Sequence, residues 1–203
     1  IQIKKMASPT SDSFDDLRKH AGSNHPQKGR LNVVLAAVEE IICERNAYPD
    51  ISMISSTDYF AAFMTALEGG DPSNMEDILA LMAMIIQFVP TAPLRAKFKL
   101  ISSIFLNIGQ MLQNDEVEGD NTKTSMLKNL IQCFSHVLKV QETSANAWAS
   151  PACLKSFDYL LFYINDSRPK VRKTAHQAIF QVLQFHYNHN PSSIILSKIS
   201  DIC

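Results

Sequence analysis

The chain has 203 residues and a mass of 22.7 kDa, enough for one large domain or two small ones. With 46% hydrophobic and 19% charged residues, and only 6 Gly and 9 Pro, it is not collagenous, low-complexity or fully disordered. The net charge of −1 conceals a division: residues 1–30 carry 6 Lys/Arg against 3 Asp/Glu, residues 31–120 carry 4 against 13, and residues 121–203 carry 9 against 4. A pI near 6.6 argues against a chain that coats nucleic acid along its whole surface. An acidic middle beside a basic end points instead to two faces for two kinds of partner, with simple solvation as the alternative.

Residues 1–29 mix Ser, Asp, Lys, Pro and Gly with little apolar periodicity and are expected to form a mobile polar arm, with one turn near Phe14 and Leu17. From residue 30 the period becomes helical. Leu31, Val34, Leu35, Val38 and Ile42 share a face, with Glu39, Glu40 and Glu44 opposite. Thr57 and Asp58 offer an N-cap for a second helix that paired glycines, Gly69 and Gly70, stop. Ser73 with Glu76 has capping-box spacing and opens a third helix, apolar nearly all round, that ends at Pro90. Its apolar run, residues 78–89 broken only by Gln87, has 12 residues, short of the roughly 20 that a bilayer-spanning helix needs.

Thr91 caps a fourth helix with Pro93 in its first turn and a stripe on Leu94, Phe98, Ile101, Phe105, Ile108 and Leu112. The acidic stretch 114–121 reads as a loop, and a fifth helix follows on Leu127, Leu130, Ile131, Phe134 and Leu138. Ser150 and Pro151 open a sixth helix, residues 168 to about 187 form a seventh, and 192–202 an eighth. No segment alternates with period two. The fold class is therefore all-α, and short turns between some eight helices suit a bundle or a solenoid of helical hairpins.

One stretch separates these. Leu154, Phe157, Leu160 and Leu161 precede Asn165-Asp166-Ser167-Arg168-Pro169-Lys170-Val171-Arg172, followed by Ala175, Ile179 and Leu183. An apolar helix, a tight turn with Asp, and Val-Arg opening a helix with Ala four residues later is the HEAT-repeat pattern. The turn Asp and the Arg one turn into the second helix are expected to face neighbouring repeats and pair there. If the sixth and seventh helices form one repeat, the fourth pairs with the fifth and the second with the third, although the opposite phase stays open. The first and eighth helices then lack mates, so residues 30–203 read as part of a longer solenoid, as does Ile1 in the place of an initiator Met.

Several stretches together resemble one family: Val34-Leu35-Ala36-Ala37-Val38; Asp58-Tyr59-Phe60-Ala61-Ala62-Phe63-Met64-Thr65-Ala66-Leu67-Glu68; and Val89-Pro90 through Leu94-Arg95-Ala96-Lys97-Phe98. Ala147-Trp148 and Arg168-Pro169-Lys170-Val171-Arg172-Lys173 continuing to Leu183 complete the set. In this order they resemble the N-terminal HEAT region of the ribosomal RNA-processing protein twelve family, over about residues 31–187. The resemblance implies a nucleolar and nuclear protein, shuttling to the cytoplasm, much longer than this chain. It implies a non-enzymatic scaffold on pre-ribosomal particles, bound to pre-rRNA and ribosomal or assembly proteins, with ties to transport factors such as Ran and exportin. It carries over no catalytic motif and no cofactor. A karyopherin-like transport receptor fragment shares the repeat and the acidic character and stands as the alternative.

The candidate sites each have a plainer reading. Arg168, Lys170, Arg172 and Lys173 place four cations in six residues near a helix start, as an RNA phosphate site would. Arg172 also fits an internal repeat arginine, and the others a solvated turn. Arg95, Lys97 and Lys99 form a second basic candidate, weakened by alternation that splits them between two sides. Glu39, Glu40 and Glu44, with Asp115, Glu116, Glu118 and Asp120, could receive a basic protein tail, or merely solvate their surface. Trp148, the only tryptophan, is either a partner anchor or a plug under a connecting segment. His186 with His189 and Cys133 with His136 have i, i+3 spacing but lack the further ligands or electropositive setting that zinc binding or thiolate chemistry needs. No P-loop or G-x-S-x-G occurs, so neither enzyme activity nor a small-molecule substrate is expected. Cys43, Cys133, Cys153 and Cys203 show no C-x-x-C pair or regular spacing and read as free thiols of a reducing compartment. No membrane partner is expected.

Overall fold

A computed structural model describes Phe14, Leu17, Arg18 and residues 26–70, 73–114, 121–142 and 144–189. The described residues contain nine α-helices and no strand. These are α1 (Pro26–Asn46), α2 (Ser56–Gly69), α3 (Met75–Ile85), α4 (Thr91–Ala96), α5 (Phe98–Asn114), α6 (Asn121–Lys139), α7 (Ala145–Trp148), α8 (Pro151–Phe162) and α9 (Pro169–His189). None is long and apolar enough to cross a membrane. They fall into two compact units that meet in sequence between Pro90 and Thr91. The all-α architecture is the expected one; the expected eighth helix at 192–202 lies outside the described residues.

In the first unit, α1, α2 and α3 each pack on the other two. Helix α2 is opened by Ser55 rather than by Thr57 or Asp58. The Ser55 hydroxyl accepts from the Asp58 N–H at 3.3 Å while the Asp58 carboxylate accepts from the Ser55 N–H at 2.9 Å, a reciprocal capping box. Gly70 ends it in the left-handed conformation, φ +70°, where a side chain would be strained. Helix α3 is capped at Asn74 rather than at Ser73, and Glu76 pairs with Arg30 of α1. Arg30 Nε also donates to Asp77 at 2.9 Å, so the acidic first turn of α3 joins α1 to α3.

Phe14 and Leu17, inside the segment expected to be a mobile arm, are buried in this unit. The Phe14 ring meets Tyr59 edge-on at 5.1 Å, and Asn32 donates to the Leu17 carbonyl at 2.7 Å. Two apolar residues three positions apart are too sparse a signal to set against the polar composition around them, yet Phe14 packs on α2 and Leu17 is tied to α1.

The second unit holds the longer stack. Its expected fourth helix is broken at Lys97 into α4 and α5, a kink that the bonds from Lys97 N–H to Pro93 C=O (3.1 Å) and from Ile101 N–H to Lys97 C=O (3.0 Å) bridge. Ser150 caps α8, with Pro151 at the first helical position, as read from the sequence. Helices α5 and α8 lie side by side, with the Ser102 and Ser156 hydroxyls 2.6 Å apart. Helices α6 and α9 form the second layer, the most extensive helix contact among the described residues, where Ser135 donates to the Ala178 carbonyl at 3.2 Å. Val171, Ala175, Ala178 and Val182 are all buried on α9, and their small volume lets α6 approach closely. Phe134 joins the layers, with ring centroids 5.3 Å from Phe105 of α5 and 4.9 Å from Tyr159 of α8.

The expected outcome for Val171→Asp is a loss of at least about 3 kcal/mol in urea unfolding, because a carboxylate would be buried there without a partner. Gly109 gives a second check on this packing. A Cβ there would lie 2.4–2.6 Å from the Tyr159 ring, so Gly109→Ala should displace that ring and cost about 1–3 kcal/mol, measured in the same way.

Candidate functional site

The basic turn between α8 and α9 is built around Asp166. Helix α8 tightens into a 3₁₀ turn at Tyr163–Asn165, and the Asp166 carboxylate then turns back on the chain that follows. It accepts from the Arg168 N–H at 2.9 Å and takes the Arg168 guanidinium at both oxygens, at 2.8 and 2.7 Å. Burial alone would raise the Asp166 pKa, but the hydrogen bonds from Arg168 outweigh it and hold the carboxyl below its ordinary range. Arg172 donates to the Asp166 carbonyl at 2.8 Å, and the His176 ring nitrogen Nε2 lies 3.0 Å from the Ile164 carbonyl.

Every one of these partners belongs to the same turn, so the expected pairing of Asp166 and Arg172 across neighbouring repeats is not what the structure contains. The reason is reach. Arg168 is close enough to satisfy both carboxylate oxygens in a planar fork, which leaves Arg172 the turn carbonyl. Arg168 and Arg172 are thus committed to local structure. Lys170 and Lys173 are exposed, and their ammonium groups pair with nothing among the described residues.

The second basic candidate does not converge. Arg95 is tied to the end of α6, its Nε donating to the Val140 carbonyl at 2.6 Å. Lys97 stands exposed at the kink and Lys99 exposed in the first turn of α5.

Among the acidic candidates, Glu40 and Glu44 are exposed but Glu39 is not. It is 7% exposed, ion-paired with Arg18, and its Oε1 accepts from the Tyr59 hydroxyl at 2.6 Å. Arg18 also donates to Tyr59 at 3.2 Å, and burial, reinforced by Glu39, raises the Tyr59 pKa far above that of a free phenol. The signal was present in the spacing: Leu31, Leu35, Glu39 and Ile42 step by four, four and three, one buried stripe with a carboxylate in it. What it could not supply was Arg18, 21 residues away. The acidic loop 115–120 lies outside the described residues.

Trp148 is a plug rather than an exposed anchor. It is 2% exposed, edge-on to Phe157 at 6.0 Å and to His186 at 4.5 Å, so that α7 fastens α8 to α9. His186 is buried with Nε2 3.3 Å from the Leu138 carbonyl; the side chain of His189 lies outside the described residues. No group of three or more His, Cys, Asp and Glu able to hold a metal occurs among the described residues. Burial drives the Cys133 thiol far above its ordinary pKa, away from thiolate character, and lowers His136 to about 4 with help from Lys139. Cys43, Cys133 and Cys153 are free thiols.

Stacked helical hairpins joined by a turn that Asp and Arg satisfy locally define a helical-repeat protein. A profile described as "RRP12-like, N-terminal HEAT repeats" matches residues 8–201. The chain is 30% identical over 183 residues to the RRP12-like protein of Gallus gallus, covering 90% of this chain and 13% of that one. It is 27% identical over 204 residues to the RRP12-like protein of Homo sapiens, covering 97% and 15%. To Ribosomal RNA-processing protein 12 of Saccharomyces cerevisiae it is 29% identical over 186 residues, covering 85% and 14%. The chain belongs to the RRP12-like family, in its N-terminal HEAT repeats, and spans about one seventh of the length of these relatives. The family is a non-catalytic one of helical-repeat proteins.

His136 provides a pH test of the α6 environment. With its folded pKa near 4 against 6.5 when unfolded, the unfolded chain binds the extra proton between those values. Stability should therefore be unaffected by this group above pH 6.5 and fall by about 2–3 kcal/mol as the pH drops from 6.5 to 4. Urea midpoints across that range check it, and His136→Gln should flatten the decline.

Proposed function

We propose that this segment is a binding surface of a ribosome-biogenesis scaffold: it holds a precursor ribosomal particle through pre-rRNA and through ribosomal or assembly proteins, and makes and breaks no bond. In this reading the protein supports pre-rRNA processing and small-subunit maturation in the nucleolus and nucleus, and accompanies particles to export. The kinship with Ribosomal RNA-processing protein 12 supports the particle; the turn at the start of α9 supports RNA as one of its contacts.

The observation that carries the RNA contact is the division of labour among four neighbouring cations. Arg168 and Arg172 satisfy Asp166, whereas Lys170 and Lys173 stand exposed in the first turns of α9. There the helix dipole is positive, and each lysine costs the helix a few tenths of a kcal/mol or more, so helix stability does not account for them. A phosphate would be met by both ammonium groups and by a helix N-terminus. Helices α6 and α9, which pack together, contain no Asp or Glu at all, so nothing on their own sequence opposes a polyanion.

Binding of the purified chain to a structured pre-rRNA fragment across a salt series tests this. The expected log–log slope is about −2 to −4, and Lys170→Glu with Lys173→Glu should reduce its magnitude by about 1–2. Unchanged association in a variant with unchanged circular dichroism would remove RNA from the function of this turn.

A further inference from the structure

Helix α1 has aliphatic residues on two sides, and only one is used by the core of its unit. Leu31, Leu35 and Ile42 are buried against α2 and α3, whereas Val33 and Ile41 are 71% and 60% exposed. On that second side α1 and α2 run antiparallel and enclose two adjoining hollows of about 410 and 450 Å³. Both are lined by Val38 of α1 and Ala66 of α2, so together they form one groove; Val33, Val34 and Ile41 line its α1 wall and Ala62 its α2 wall, with Arg45 and Asp58 at one end and Met75 and Ile78 of α3 at the other. Alanines on one wall and branched aliphatics on the other leave room for a third helix at close approach. The groove follows the 14 residues of α2, about 20 Å or four helical turns.

Charge says what kind of helix fits. Glu44 stands three residues after Ile41, Glu40 three after Ala37, and Glu68 three after Thr65, so all three border the groove by helical spacing, and all are exposed. Between residues 31 and 90 there are nine Asp and Glu and a single Lys or Arg, Arg45. A second copy of this chain would bring acid against acid, which disfavours self-association through this face. We infer that the groove between α1 and α2 is a docking site for a cationic amphipathic helix of a partner protein, its apolar face seated between Val38, Ile41 and Ala66 and its Lys or Arg residues against Glu40, Glu44 and Glu68. This is helix-in-groove recognition, and it stands on different residues from the RNA contact of the second unit.

The test uses the whole chain and a fluorescein-labelled 18-residue peptide of Leu and Lys patterned as an amphipathic helix. Two control peptides accompany it: a Leu/Glu version of the same pattern, and a scrambled Leu/Lys version with no apolar face. The patterned Leu/Lys peptide should bind at least tenfold more tightly than either control. Ile41→Asp, at an exposed position, should weaken it at least tenfold. Glu40→Lys with Glu44→Lys and Glu68→Lys should weaken it and flatten its salt dependence. On the unaltered chain, the peptide should slow amide hydrogen exchange in α1 and α2 and not in α5. Equal binding of the scrambled peptide, or of the patterned peptide to Ile41→Asp, overturns the site. So does sedimentation showing a dimer that Ile41→Asp abolishes, since the occupant would then be a second copy.

Discussion

The second unit depends on the close contact of α6 with α9. A helix that is apolar on more than one side has no stable position until each side meets a neighbour, and α6 buries Leu127, Leu130, Ile131, Phe134, Val137 and Leu138. The α9 side of that contact is made of Val171, Ala175, Ala178 and Val182, small enough for the Ser135 hydroxyl to reach the Ala178 carbonyl. Seating α9 this deeply sets what surrounds it. His186 is brought to the Leu138 carbonyl and against Trp148, and the first turn of α9 is left at the edge with Lys170 and Lys173 outward. The layering of α5 on α8 and α6 on α9 is the same whichever helices are counted as a repeat, while the tight Asp166 turn makes α8 with α9 the clearest hairpin.

Residues of one charge type have opposite fates within a few positions, and side-chain chemistry explains the difference. The planar guanidinium of Arg168 matches both oxygens of Asp166, and Arg172 reaches a carbonyl across a helical turn. A lysine is a compact point charge without that fork, and the two lysines of the same turn stay in solvent. On α1, Glu39 is drawn inward because Arg18 and Tyr59 converge on it, while Glu40, one residue on, faces outward. A buried carboxylate left without such partners would be strongly destabilising. The arm residue Arg18 therefore belongs to the same buried network as Glu39 and Tyr59.

The uneven charge along the chain corresponds to two surfaces of different chemistry, each within one unit. The first unit carries an apolar groove with exposed glutamates at its borders, and the second a helix pair free of acidic residues with two outward lysines. On α1, exposed Val33 and Ile41 share the outer surface with Glu40 and Glu44, where a core-facing helix of an isolated unit would normally be polar.

Helix positions, the Ser150–Pro151 start, the Asp166 turn and the repeat class were legible in the amino-acid sequence. These depend on local spacing: a period of 3.6, a capping residue, and a turn that closes on itself. Partner choice was not legible, because it depends on residues far apart in the chain. Nothing near Glu39 announces Arg18, nothing near Glu76 announces Arg30, and nothing near Trp148 announces Phe157 and His186 on two other helices. Phe14 and Leu17 lie in polar surroundings, and only the contacts with Tyr59 of α2 and Asn32 of α1 give them a place. Local pattern decides which residues form a helix; which of its sides is left for a partner is decided only when the neighbouring helices have taken the others.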